Sequence, residues 1–330
     1  MRYVIYGAGA VGGTLGGSLF AAGHRVALIA RGDHLTALQR TGLRLQRPDG
    51  EDVYPIDAFG SSADADITGD DVVVLAMKSQ HAASAIESLA NAAPPGVPVV
   101  CAQNGVESER VALRRFSRVY AMTVYLPATH LEPGVVCAHG APMRGILDLG
   151  RFPQGTDDVA ERVAADLESA GFSSRALEQP LRWKYAKLVR NLANVLDALA
   201  GQDGRNSELT DLLRAEAHAV FAAAGIETVT SEEGDERREG LVEIKPAGGE
   251  SRSGSSSWQS LARGSGSIET DYLNGEVVLL GRLHGVPTRL SAAVMHEARQ
   301  AVLTGAPPGS LSVAELTARV LTTAETNSVD

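Results

Sequence analysis

Arg2-Tyr3-Val4-Ile5-Tyr6-Gly7-Ala8-Gly9-Ala10-Val11-Gly12 opens the chain as an apolar run that ends on a G-x-G-x-x-G pattern and continues into an apolar-periodic stretch. Alone, the glycine pattern is a weak signal. Directly after a strand and at the start of a helix, it is the fingerprint of a dinucleotide-binding turn. Gly7 permits the tight turn, Gly9 lets a pyrophosphate approach the backbone, and Gly12 lets helix and strand pack closely. Ala10 and Val11 place the first helical N–H groups at the phosphates, where the helix macrodipole favours negative charge.

Outward from that turn, short apolar runs alternate with amphipathic stretches as far as about residue 149. This is the pattern of a mostly parallel sheet with crossover helices. Strands are expected at 2–6, 25–30, 72–77, 97–101 and 119–124, and helices at 11–22 and 82–91. Residues 135–139 and 146–149 read as an antiparallel hairpin, and a helix over 157–170 stops at Gly171. From Pro180 the strand signal fades. Helices are expected over 181–200, 207–224, 258–263, 271–284 and 291–303, while the polar, glycine-rich stretch 228–256 reads as a loop and the last dozen residues as a fraying end. The expectation is an α/β fold: a Rossmann-type dinucleotide-binding domain over 1–178, then an all-helical domain over 179–330.

The composition narrows the function. The 330 residues carry a formal net charge of −10, which argues against a nucleic-acid binder or a polybasic membrane-surface protein. No run is apolar enough to span a bilayer, no cleavable signal precedes the first strand, and the two cysteines, Cys101 and Cys137, offer neither a disulfide framework nor metal-ligand spacing. A soluble, reduced, cytosolic protein without a metal is expected, with a homodimer left open.

The second strand leads into Arg31, where an NAD-preferring site usually carries Asp or Glu for the ribose 2′-hydroxyl. An arginine there suits a 2′-phosphate, so NADP(H) is the expected cofactor, with Asp33 tempering the reading. Two more strand ends deliver Lys78 and Gln103-Asn104-Gly105 to the edge of the sheet where ligands of open α/β folds bind.

Chemistry is expected on the helix that opens the second half. Trp183, Lys187, Asn191 and Asn194 share one face at i, i+4, i+8 and i+11, beside an apolar stripe of Leu188, Leu192, Val195 and Leu199. A solvated face is usually rich in Glu, Lys and Arg, and asparagine is a poor helix former, so two asparagines beside one lysine suggest a site. Delivery of hydride to a ketone leaves an alkoxide, and a partly desolvated lysine can protonate it. Lys187 is the candidate acid, with Lys184 the second choice.

These residues in this order resemble the ketopantoate reductase (2-dehydropantoate 2-reductase) family over nearly the whole chain. The resemblance rests on the opening glycine run, Arg31, Lys78, Gln103-Asn104-Gly105, Glu132-Pro133-Gly134-Val135-Val136 and Lys187-Leu188-x-x-Asn191. It extends to Ser256-Ser257-Trp258-Gln259, Ile268-Glu269-Thr270-Asp271-Tyr272-Leu273-Asn274-Gly275 and His284-Gly285-Val286-Pro287-Thr288. It implies NADPH-dependent reduction of a 2-oxo acid, 2-dehydropantoate or a related branched acid, in a cleft between two domains. By the same resemblance Lys187 is the general acid and Glu269 its acidic partner. Asn191 and Ser257 bind substrate, and Lys78 and Asn104 sit near the nicotinamide and its ribose. The family's second helix asparagine would fall on Val195. Here the asparagine is Asn194, one residue early, and it is the expected further substrate contact. Bottom-up, Ser257 could serve as a helix N-cap and Glu269 as an N-terminal helix charge. Two other readings stay open: a non-catalytic NADP(H)-binding sensor, and an opine or hydroxyacid dehydrogenase, for which His218, His284 and His296 show no partner at useful spacing.

Overall fold

The computed structural model describes residues 1–130, 132–249, 251–264 and 266–326. The chain divides into two units. One comprises 1–184 and 229–252, the other 185–228 and 253–330. The division differs from a single boundary at 178/179, because the chain enters the second unit inside a helix, returns to the first, and then leaves it again.

The first unit begins with β1 (Arg2–Tyr6), α1 (Ala10–Ala21), β2 (Arg25–Ile29), α2 (Gly32–Thr41), β3 (Leu43–Arg47), β4 (Gly50–Tyr54), β5 (Asp57–Phe59) and β6 (Asp71–Leu75). It continues through α3 (Ala82–Ala92), β7 (Val99–Cys101), α4 (Glu107–Leu113), β8 (Val119–Tyr125), β9 (Ala128–Thr129), β10 (Val135–Ala138), β11 (Gly140–Pro142), β12 (Ile146–Arg151) and α5 (Asp158–Ser169). Seven strands form one sheet in the order β12-β8-β7-β6-β1-β2-β5, parallel except for β12. From β1 the chain runs to β2 on one side and comes back to β6 on the other. The switch point of the sheet therefore lies at the carboxyl ends of β1 and β6.

A second sheet, β4-β3-β10-β9, covers the far side of α1. This explains the Gly-Gly pairs of that helix. A Cβ at Gly16 would meet the Leu28 side chain of the large sheet at 2.8 Å, and one at Gly13 would meet Val136 of the small sheet at 2.7 Å. Both faces of α1 are approached, so no amphipathic period exists to be read.

Three expectations fail in this unit. Residues 135–138 and 146–151 do not pair with each other: β10 joins β3 and β9 in the small sheet, and β12 joins β8 in the large one. Adjacent strands in sequence usually pair, but here a short bridging strand, β11, separates them. The strands at 43–59 were not expected, because β4 is exposed and charged and carries no apolar alternation. Finally, the stretch 228–256 is not simply a loop.

The helix α6 (Pro180–Asn191) begins with proline at its first position, and the chain then forms α7 (Asn194–Arg205), α8 (Glu208–Ala224), α9 (Ser231–Arg238) and β13 (Val242–Ile244). Helix α9 carries a full capping box between Thr230 and Glu233, a signal present in the sequence. It is anchored by Arg237, which donates to both oxygens of Asp148 on β12 at 2.8 and 2.6 Å with both side chains buried. Strand β13 pairs antiparallel with β11. Glu250, within the same stretch, lies outside the described residues.

The second unit holds the end of α6, then α7 and α8, then α10 (Ser256–Ala262), α11 (Asn274–His284), α12 (Arg289–Thr304) and α13 (Val313–Thr326), with a single 3₁₀ turn at Glu269–Tyr272 before α11. Left-handed Gly225, Gly285 and Gly305 stop α8, α11 and α12. The expected fraying of the last dozen residues is also corrected: Leu316, Val320 and Ala324 are buried at i, i+4 and i+8 along α13. Of the last dozen residues, 327–330 lie outside the described ones.

Candidate active site

In the first unit, the residues expected at the cofactor follow the carboxyl ends of β1, β2, β6 and β7, on either side of the switch point. Gly7 sits at φ +103°, and a Cβ there would press on Met77 N at 2.7 Å, so the turn after β1 lies against the end of β6. A Cβ at Gly12 would overlap the Gly7 carbonyl oxygen. At Gly9, by contrast, an added Cβ would meet only His130 Cδ2, at 4.0 Å, which leaves the middle of the turn open. Gly9 is the N-cap of α1, no side chain caps the helix, and its first turn holds no acidic residue. Ala10 and Val11 thus begin a helix whose leading N–H groups are left for an anion. A dinucleotide pyrophosphate fits this cradle.

Arg31 is the N-cap of α2 and is exposed, and among the described residues its side chain makes no hydrogen bond or ion pair. Lys78 caps the short 3₁₀ turn Ser79–His81 that follows β6. Ser79 Oγ donates to the Asn104 carbonyl at 3.1 Å, which ties the turns after β6 and β7 together. Lys78 and Asn104 are therefore held on one edge of the sheet.

That edge has a support the sequence did not announce. Lys184 of α6 donates to the Gln103 carbonyl at 3.1 Å and is ion-paired with Glu109 of α4. Both charges are buried, Lys184 at 3% and Glu109 at 0% exposure. Lys184 thus holds the Gln103-Asn104-Gly105 turn, and its candidacy as proton donor lapses, because its ammonium is committed to a carboxylate. The Cys101 thiol lies in the same buried region, where burial pushes its pKa well up, as suits a structural cysteine. Glu109 gave no signal, since a Glu early in a helix is ordinarily solvated.

In the second unit, three segments meet where α6 gives way to α7. The single helix expected over 181–200 is broken after Asn191, and α7 restarts at Asn194. The break has identifiable causes. Asn274 Nδ2 donates to the Leu192 carbonyl at 3.3 Å, and Ser255 Oγ donates to the Asn194 carbonyl at 3.1 Å. Side chains from elsewhere in the unit thus take up carbonyls at the joint. The Ser255 N–H also donates to Asp197 at 2.6 Å. Hence the ends of the Lys187–Asn191 helix, the Ser255–Trp258 segment and the Glu269–Asn274 segment are bonded around one joint.

The break changes the reading of individual residues. Lys187 and Asn191 remain one turn apart on α6, both half-buried. The Asn191 Nδ2 is buried and has no hydrogen-bond partner among the described residues, an arrangement that a bound polar ligand would relieve. Asn194 lies beyond the break, where its Oδ1 accepts from Arg205 Nη1 at 3.0 Å, inside α7. Ser257 is not the cap of α10. Ser255 is, accepting from the Trp258 N–H at 3.2 Å, which leaves buried Ser257 without a capping duty. Glu269 opens the 3₁₀ turn and is buried. A helix-end charge at the surface is therefore not its role.

Comparison with known proteins matches both parts of the chain to one family. Residues 3–154 match the family model "Ketopantoate reductase PanE/ApbA", and residues 181–302 match "Ketopantoate reductase PanE/ApbA C terminal". A 2-dehydropantoate 2-reductase of Pyrococcus horikoshii is 31% identical over 58% of this chain, and the match spans 62% of that protein's length. One of Halobacterium salinarum is 30% identical over 87% of this chain and 94% of its own. Among solved structures, a PanE/ApbA family ketopantoate reductase of Ralstonia eutropha JMP134 superposes with a TM-score of 0.77 at 28% identity, covering 92% of this chain and 99% of that one.

Proposed function

The chain belongs to the ketopantoate reductase family, and from that premise we propose that it reduces a 2-oxo acid, 2-dehydropantoate or a related branched acid, to the 2-hydroxy acid with NADPH. A nicotinamide dinucleotide is the cofactor of this fold, and when bound it supplies the hydride. Preference for the phosphorylated form is supported by Arg31, an exposed guanidinium with no side-chain partner among the described residues, two positions beyond β2 where an NAD site would carry an acid.

The observation that carries the substrate reading is the joint between α6 and α7, with the orphaned Asn191 amide one turn beyond Lys187. In this mechanism Lys187 Nζ donates a proton to the carbonyl oxygen as negative charge develops there. Glu269, buried and acidic, is the carboxylate partner of that ammonium in this reading. Asn191 Nδ2 and Ser257 Oγ donate to the carboxylate or hydroxyl oxygens of the acid as neutral groups. Lys78 and Asn104 position the nicotinamide end of the cofactor. Asn194, engaged with Arg205, is given a scaffolding role and not a substrate contact.

NADPH oxidation by the purified protein, screened over 2-dehydropantoate and a panel of branched 2-oxo acids, tests the proposal. Turnover with one of them, abolished in Lys187→Ala, is the expected result. Lack of turnover with every acid, together with NADPH binding that no acid alters, would favour the sensor reading.

A further inference from the structure

His34 lies in the first turn of α2, half-buried, three residues after Arg31. Its Nε2 is 2.8 Å from the carbonyl oxygen of Ala8, in the middle of the glycine turn. Its Nδ1 accepts the Gly134 N–H at 2.9 Å, from the turn that leads into β10. These partners fix the proton. A carbonyl only accepts, so Nε2 must carry hydrogen, and a backbone N–H only donates, so Nδ1 must be bare. The bridge is complete only with a neutral imidazole. The His34 ring also packs on His130 with centroids 4.2 Å apart, and His130 Nδ1 lies 2.9 Å from the Val135 carbonyl. His130 in turn faces the open side of Gly9.

We propose that His34 is a positioning residue for the dinucleotide. In its neutral form it clamps the Gly7–Gly9 turn, the start of α2 with Arg31, and the Gly134 turn into one unit. Protonation breaks the Gly134 bond and loosens the cradle, so cofactor affinity falls on the acid side. The inference rests on the reading of the glycine turn as the cofactor site.

The ionisable groups on the segments that bond to or stack on the ring are Arg31 and Asp33 of α2, and His130 and Glu132 before β10; the glycine turn has none. Burial holds the His34 pKa below the usual imidazole range, and the bond to Ala8 offsets this only in part. The bridge is therefore intact at neutral pH and fails as the pH drops below that lowered value. A bound pyrophosphate acts the other way, since its charge would favour the imidazolium, and the sign of the effect is what the experiment reads.

The test is fluorescence titration of the whole protein with NADPH and with NADH between about pH 5 and 8, on the wild type, His34→Gln and His34→Ala. NADH is included because it lacks the 2′-phosphate, whose own second ionisation falls near pH 6. Gln retains a donor for Ala8 and cannot titrate, so it separates the bridge from its protonation. For the wild type, the NADH dissociation constant should rise several-fold on acidification, while His34→Gln stays level. His34→Ala should bind both dinucleotides roughly tenfold more weakly near pH 7.5, the scale of one or two lost hydrogen bonds. With saturating NADPH its kcat should be unchanged and only the KM for NADPH raised. Tighter binding on acidification, persistence of the pH dependence in His34→Gln, or wild-type affinity in His34→Ala would each overturn the proposal. A wild type that binds neither dinucleotide would overturn the cofactor reading itself.

Discussion

Lys184 and Lys187 lie within one turn of α6, yet the fold gives them opposite duties. Lys184 is sealed against Glu109 and the Gln103 carbonyl, whereas Lys187 is half-buried beside the orphaned Asn191 amide. Removal of one partner from a buried ion pair strands the other charge. Lys184→Met should therefore cost about 3–5 kcal/mol of unfolding free energy, read from urea denaturation. Joining it with Glu109→Leu should recover much of that loss, because a buried pair replaced by apolar groups is often near neutral. Lys187→Ala should behave inversely: unfolding within about 0.5 kcal/mol of wild type, and turnover lost. Such a contrast cannot be drawn from spacing, since both lysines sit on a helix with apolar neighbours. It needs Glu109, which approaches from a distant part of the chain.

At the scale of elements, the break between α6 and α7 and the excursion of α9 decide what a helical pattern left undetermined. The apolar stripe of Leu188, Leu192, Val195 and Leu199 reads as one helix, and all four are buried, but carbonyls at the joint are bonded by Asn274 and Ser255. Asn274→Ala should let α6 and α7 approach one continuous helix and displace Asn191. The expected result is a raised KM for the oxo acid with little change in the KM for NADPH. Helix α9 illustrates the reverse case. Its capping box is local and legible, but its place in the fold comes from Arg237 on Asp148. Asp148→Asn should release the stretch 228–252, seen as faster limited proteolysis there, while the rest of the first unit keeps its protection.

For the molecule as a whole, two quantities follow. A ligand that binds only the folded chain stabilises it by about 2.7 kcal/mol at a hundred times its dissociation constant. At equal concentration NADPH should thus raise the melting temperature more than NADH, and Arg31→Ala should erase the difference without abolishing either shift. The acid limb of stability is set in part by Asp71. Burial pushes its carboxyl up, but hydrogen bonds from Arg2 and the Thr68 N–H outweigh burial and hold it below the ordinary carboxylate range. Its stabilisation is therefore present above about pH 4 and is lost as the pH falls through the lowered value. Asp71→Asn should lower stability at neutral pH and flatten the fall of melting temperature between about pH 5 and 3.

What the sequence determined by itself was local. The first strand, the glycine turn and the helix behind it are contiguous, and the residue types at Gly7, Gly9, Gly12 and Arg31 follow from backbone geometry and charge within about thirty positions. The helix stops at Gly225 and Gly285 were equally legible, because a left-handed cap is a property of one residue. Tertiary structure decided the pairings. It sent β10 and β12 to different sheets, split the expected helix at Leu192, and turned 228–256 from loop into a docked helix and strand. Each outcome depends on partners far away in sequence: Asn274 for Leu192, Asp148 for Arg237, Glu109 for Lys184. A periodic pattern records which face is apolar, but not which remote hydrogen-bond partner will interrupt it. The opening turn shows both sides. Its glycines announce the cradle, and His34 bonded to Ala8 and Gly134 supplies a brace that only folding brings into place.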